Sequence, residues 1–223
     1  MAQKEQTVYS WMARNWRELI KPTAVRLDDD SRSAVYGKFT CEPLERGFGI
    51  TIGNSLRRVM LSSLQGASIT AVKIQNVLHE FSTVPNVVED VAEIILNLKG
   101  VIIKKVNPKP VVLTLDIKGP HVVTASDIGL VDNIEIMNPN HYICTVSDGG
   151  HLRMELSVRS GRGYVPADVH KDDVLGVGSI PVDALYSPII KVNYTVTNAR
   201  VGQRTDYDKL IMEIWTNGTV DPK

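Results

Sequence analysis

The chain has no surplus of either charge: 25 lysines and arginines balance 25 aspartates and glutamates over 223 residues. Taken whole it offers a phosphate backbone no attraction, so nucleic acid is a poor first partner. Only a local patch, such as Arg57, Arg58, Arg159 and Arg162, could supply one. Cysteine is scarce as well. Cys41 and Cys144 stand far apart in strand-like runs and read as core thiols of a reducing compartment rather than a disulfide. No run nears the roughly 18 apolar residues of a membrane helix, and the start of the chain carries no apolar region followed by a cleavage site. A soluble, intracellular protein is the expectation.

Catalytic signatures are missing too. There is no GxxxxGK[ST], no GxSxG, no HExxH and no clustered Asp-x-Asp-x-Asp of the kind that holds two Mg²⁺ ions about 4 Å apart. The histidines at 79, 121, 141, 151 and 170 never fall at metal-finger spacing with the cysteines. His79 and Glu80, adjacent in a strand-like run, would point to opposite faces and make no acid–base pair. Asp28, Asp29 and Asp30 with Ser31 read as a polar turn without further acidic ligands. An enzyme acting on a small molecule would need convergent polar groups in an apolar cleft, and the sequence shows none.

What is present is a folded chain: 43% hydrophobic, with 16 glycines and 11 prolines, enough to bury one large core or two modest ones. Its most informative stretch is Leu44 to Gly66. There Phe48, Ile52, Leu56, Val59, Met60 and Leu64 recur at steps of three and four, the period of an amphipathic helix. Gly47 and Gly49 loosen the backbone before it, and Gly66 can end it with a left-handed residue. Off the stripe, at about 100° per residue, Arg58 and Leu61 lie together on a flank with Arg57 beyond. An apolar residue beside arginines outside the apparent core face is how a partner-contact patch looks, although a solvated flank with one leucine fits the pattern equally.

Along the rest of the chain, Trp11, Trp16, Leu19 and Ile20 suit an arm pinned to a surface before Pro22, and AVYGKFTCEPL reads as a strand. In ASITAVKIQNVLHEFST, period two places Thr70, Val72 and Ile74 on one face of a strand that runs into a second. A second helix follows, with Asn86 as N-cap, Glu89 at N3, a stripe of Val87, Val91, Ile94, Ile95 and Leu98, and Lys99 with Gly100 closing it. Lys99 is placed either to cap or to reach a partner. Strands then dominate: VIIKKV, VVLTLDIKG, IEIMNPNHYICTVSD and HLRMELSVRSG, the last with Leu152, Met154, Leu156 and Val158 alternating after an Asp148-Gly149 turn. Ser160 to Ala167 reads as an exposed glycine-rich loop carrying Arg162 and Tyr164, a composition suited to subunit contact. IIKVNYTVTNARV and DKLIMEIWTNG look like central strands that pair with the early one.

The strings CEPLERGFG, TIGNSLRR, VLHEFST, EDVAEIILNLKG, SGRGYVPA, YSPI, RTDYDKL and TNGTVDP, in this order from about Asn15 to Lys223, resemble the amino-terminal domain of the bacterial RNA polymerase alpha chain family. The resemblance implies an α+β protein of two domains. One is a discontinuous dimerisation domain, residues 21–65 plus 191–223, with an antiparallel sheet and helices. The other is an inserted, mostly β domain with one helix, residues 66–190, and residues 1–20 form an amino-terminal arm. It further implies a non-catalytic scaffold subunit of DNA-directed RNA polymerase, a nucleotidyltransferase whose active site lies on other chains. The scaffold homodimerises, with Phe48, Ile52, Leu56, Val59 and Met60 at the interface, and gathers the beta and beta-prime subunits, with omega and sigma in the same assembly. The family's beta-contact positions fall on Arg58 and Leu61, with Thr51 and Gly49 beside them, and its beta-prime lysine falls on Lys99. No cofactor is expected on this chain; Mg²⁺ and Zn²⁺ belong to the beta-prime subunit. The setting implied is the bacterial cytoplasm rather than a plastid. Asp221 and Pro222 read as the opening of a helix, so a truncated chain is the expectation, and the resemblance implies that a helix, a linker and a DNA-binding carboxy-terminal domain would continue from there.

Overall fold

A computed structural model describes residues 19–22, 24–29, 33–107, 109–131, 133–170 and 176–223. The expected arm around Trp11 and Trp16 lies outside them. The chain divides into two compact units: one takes in the described residues up to Val59 with Lys191–Trp215 and Pro222–Lys223, the other Met60–Ile190 with Thr216–Asp221.

The first unit is an antiparallel sheet in the order β1-β2-β14-β13, built from β1 (Ala24–Leu27), β2 (Tyr36–Leu44), β13 (Ile189–Val201) and β14 (Arg204–Thr216). Of the two late strands only β14 pairs with the early one: Leu210 lies opposite Cys41, Met212 opposite Phe39 and Ile214 opposite Gly37, whereas β13, expected as a second central partner, pairs with β14 and ends the sheet. That register puts the three late residues, all buried, on one face. The other face carries Lys38, Thr40, Glu213 and Trp215. It is laced by the Lys38–Asp28 and Lys209–Glu42 ion pairs, by Tyr36 donating to Glu213, and by Lys191 over the Trp215 ring. Helix α1 (Phe48–Ser63) leaves β2 through the turn at Gly47, whose φ is +86°. No left-handed glycine ends it. Gly66 instead lies inside β3, where a side chain would drive into the Tyr186 carbonyl.

The second unit is centred on a six-stranded sheet, β5-β9-β3-β4-β7 with β11 also on β3. Its strands are β3 (Gln65–Ile74), β4 (Ile103–Lys105), β5 (Val111–Lys118), β7 (Ile134–Ile136), β9 (His151–Arg162) and β11 (Ile180–Pro181). Two short ribbons complete it: β6 (His121–Thr124) with β8 (Tyr142–Val146), and β10 (Tyr164–Val165) with β12 (Ala184–Leu185). In β9 the alternation is as read: Leu152, Met154, Leu156 and Val158 are all buried, and Gly149 (φ +72°) turns the chain into the strand. In β3 it is not. Ile69 faces Val158 and Val72 faces Leu156, three steps against two, so one residue is extra. That bulge takes Thr70 out of step, and its hydroxyl turns to Ser157 while Ile69 joins Val72 and Ile74 in the core.

Helix α2 (Val91–Lys99) covers this core with Val91, Ile94, Ile95 and Leu98. Its cap differs from the sequence reading. Asp90 is the N-cap and accepts from the Glu93 amide at 2.7 Å, whereas Asn86 sits in a left-handed turn (φ +59°) ahead of it. Glu89, freed from the helix, accepts the Thr145 amide at 2.7 Å and the Tyr142 hydroxyl, tying the helix entry to β8. The expected second strand over VLHEFST is a series of turns. The Ser160–Ala167 loop is also corrected: its first part is the end of β9, and after Gly163 (φ +63°) the chain returns as β10. No helix of the described residues is long and apolar enough to cross a membrane.

Candidate assembly surface

Helix α1 carries most of the residues singled out from the sequence, and its seating is unusual. Only Gly49 and Gly53 are buried along its length. A Cβ on Gly53 would stand 2.7 Å from the Tyr194 ring and 2.9 Å from Leu210, and one on Gly49 would stand 2.8 Å from Val196. The helix therefore lies with its backbone on β13 and β14, closer than any side chain would permit. Its start is fixed from the same sheet. Oδ2 of Asp208 accepts the Gly47 amide at 2.9 Å and the Gly49 amide at 3.0 Å, so a carboxylate from β14 satisfies donors that a helix N-terminus leaves open.

This seating reverses the burial expected of the apolar stripe. Phe48 (40% exposed), Leu56 (45%) and Val59 (52%) face outward, and Ile52 and Met60 are half-buried. The period identified the helix, but the stripe is not its core face. About 100° per residue places the stripe on one flank of the glycine side and Thr51, Arg58 and Leu61 on the other. Thr51 and Arg58 are exposed and Leu61 is half-buried. Gly49, expected among the partner contacts, is instead covered by Val196 and Asp208, so its part is to admit the helix to the sheet.

Within the second unit, Leu61 and Lys99 line one cleft of about 430 Å³, with Ile103, Leu185, Ile190 and Asn217 among its other walls. Leu185 and Ile190 are about two-thirds exposed, at 65% and 68%. Lys99 does not cap its helix: its Nζ is 2.9 Å from Oδ2 of Asp183, and α2 ends on Gly100 in right-handed geometry. Asp183 also accepts the Ala167 amide at 2.9 Å. Lys99 first, then the Ala167 amide, hold its carboxyl below the usual range, and Tyr164 adds to them. Tyr164 is exposed, as is Arg162 at the end of β9. So Asp183 brings together two residues that the sequence reading kept apart, Lys99 and Tyr164. Neither Asp183 nor Asp208 carried a sequence signal of its own, since each acts on residues distant along the chain.

Among the described residues no three His, Cys, Asp or Glu side chains stand together as a metal site. Cys144 is buried, and burial, with the Glu89 charge second, pushes its thiol up to about 12.

Residues 72–187 match the RNA polymerase Rpb3/RpoA insert domain. The chain belongs to the RNA polymerase Rpb3/RpoA insert-domain family. The matched span of this Rpb3/RpoA-type chain runs from near the end of β3 to just past β12 and holds α2 and the Lys99–Asp183 pair. Over 95% of its length the chain is similar to proteins described as DNA-directed RNA polymerase subunit alpha. That of Geobacter metallireducens is 55% identical over 212 residues, 95% of this chain and 62% of the relative. That of Syntrophus aciditrophicus is 56% identical over 212 residues, 95% and 61%, and that of Pelobacter propionicus 52% over 211 residues, 95% and 62%. The chain thus spans less than two thirds of the length of these relatives. The family resemblance read from the ordered strings agrees with these matches.

Proposed function

We propose that this chain is a non-catalytic scaffold subunit of DNA-directed RNA polymerase: it forms a homodimer through α1 and gathers the two large subunits, beta and beta-prime. The observation that carries this reading is the glycine seating of α1. A helix that docks through Gly49 and Gly53 spends no large side chain on its own sheet and keeps both flanks for other chains. The apolar flank of Phe48, Ile52, Leu56, Val59 and Met60 suits an identical helix from a twofold mate, because such contiguous exposed apolar surface on a small protein marks an association site. On the other flank Arg58 is suited to bidentate bonds to carboxylates or carbonyls of beta, with Leu61 filling an apolar notch beside it and Thr51 extending the contact. Lys99 serves beta-prime from the cleft that it shares with Leu61, and the exposed Arg162 and Tyr164 offer a further subunit contact.

The relatives' description as polymerase subunits supports the same assembly. Truncating a central arginine of an interface typically costs about 2 kcal/mol or more, close to thirtyfold in affinity. Arg58→Ala should accordingly leave a folded dimer, by sedimentation and circular dichroism, that retains beta in a pull-down at least tenfold more weakly. Unchanged capture at matched dimer concentration would refute the assignment.

A further inference from the structure

The polar group at the mouth of the Lys99 cleft is built in layers. Asp183 stands between β11 and β12, and one of its oxygens is fixed by the Ala167 amide. Tyr164, which pairs with Leu185 across the β10–β12 ribbon, is close enough to help lower this carboxyl's pKa. One oxygen of the carboxylate is thus held by the backbone independently of Lys99. Lys99 arrives from the last turn of α2, and its Nζ meets the second oxygen at 2.9 Å.

Both partners of this pair remain partly open, at 34% and 36% side-chain exposure. An ammonium has three donors, and one carboxylate oxygen occupies one of them. A free lysine on a flexible stem loses much rotamer freedom when a partner fixes it, whereas one already parked has lost that freedom beforehand. The arrangement therefore differs from an incidental surface ion pair, whose two ends are both loose.

We propose that Asp183 is the positioning residue for Lys99: it parks the ammonium at the mouth of the Leu61 cleft so that an acidic side chain of the incoming beta-prime subunit shares the ammonium with it. This rests on the beta-prime contact assigned above to Lys99. The partner is thereby specified as an acidic residue flanked by apolar ones, which would enter between Leu61, Leu185 and Ile190.

A double-mutant cycle tests the proposal, using Asp183→Asn, Lys99→Met and the double variant, with capture of beta-prime measured at matched concentration and thermal unfolding followed in parallel. Lys99→Met should weaken capture about tenfold and Asp183→Asn about threefold to tenfold, while the double variant should be no worse than Lys99→Met within about twofold. If Asp183→Asn captures as well as the parent while Lys99→Met does not, the positioning role is wrong and the Lys99 contact stands. If Asp183→Asn costs the same factor again in the Lys99→Met background, Asp183 acts independently of Lys99 and the proposal is also wrong. Unchanged capture by Lys99→Met removes the Lys99 contact, and the inference with it. A charge-exchanged pair, Lys99→Asp with Asp183→Lys, separates positioning from stability. It should recover the unfolding midpoint and leave capture lost; restored capture would show that only the intrachain ion pair mattered.

Discussion

Replacing Gly53 by alanine sets two effects against each other on one atom. In an exposed helix interior the change is favourable by about 1 kcal/mol, because alanine loses less backbone freedom on folding than glycine. At Gly53 the new methyl would stand 2.7 Å from Cδ2 of Tyr194 and 2.9 Å from Cδ1 of Leu210, against an optimum of about 3.5–4.0 Å between carbons. Leu210 is buried in the core of the sheet, and an aromatic ring yields less readily than the end of a flexible chain. Overpacking of this kind costs about 1–3 kcal/mol. The helix propensity gain offsets part of that, so Gly53→Ala should destabilise the first unit by up to about 2 kcal/mol. Asn54, the next residue, is exposed, and Asn54→Ala should stabilise by a few tenths of a kcal/mol on propensity alone. The assay is urea unfolding at one fixed protein concentration, since association would otherwise shift the midpoint, with hydrogen exchange of the α1 amides reporting the first unit separately from the second. A Gly53→Ala midpoint raised as much as that of Asn54→Ala, or raised further, would refute the glycine seating. With it would fall the argument that α1 keeps both flanks for partners.

The remaining predictions concern the second unit. Asp90→Ala removes the acceptor of the Glu93 amide and should cost about 1 kcal/mol in unfolding free energy, while Asn86→Gly, at a left-handed position, should be close to neutral within about 0.5 kcal/mol; equal costs at the two positions would overturn the capping assignment. Cys144, with its thiol pushed up to about 12 by burial, should resist a thiol reagent at pH 8 until the protein is unfolded. Modification of Cys144 in the folded chain at the rate of a free thiol would contradict its burial.

The features that were legible in the sequence share a physical cause: a short-range period that one element imposes on its own residues. The 3.6-residue period marked α1, the alternation in β9 marked a strand with one wet face, and Asp148-Gly149 marked the turn before it. What the period does not report is which side of an element faces its own chain. In α1 the period marks the apolar stripe assigned to the dimer contact but not the seat of the helix, which is Gly49 and Gly53, residues that add nothing to an apolar count. In β3 the alternation was read without the extra residue at Thr70, because a bulge is set by the partner strand and not by the strand that carries it. The cap of α2 went to Asn86 by the spacing of a capping box, although Asp90 had equal chemistry and stood nearer the buried stripe. Asp183 and Asp208 were invisible for a related reason, since each acts on groups about 16 to 160 positions away along the chain.

These two carboxylates also solve the same problem for the proposed scaffold. A surface meant for other chains cannot be steadied by burying the residues that will make the contact, so its geometry has to be fixed from beside or beneath. Beneath α1 the fixing comes from glycines, which bring backbone to within contact of Tyr194 and Val196, and from Asp208, which binds the two amides where the helix begins. At the cleft it comes from Asp183, itself anchored by the Ala167 amide as it holds Lys99. In both places the residue that would meet the partner stays on the surface while its neighbours are pinned, which lowers the ordering cost of association without adding any contact of its own. Substitutions at Asp208 or Asp183 should therefore alter how fast and how tightly partners are held more than they alter the fold, and substitutions at Gly49 or Gly53 should alter both.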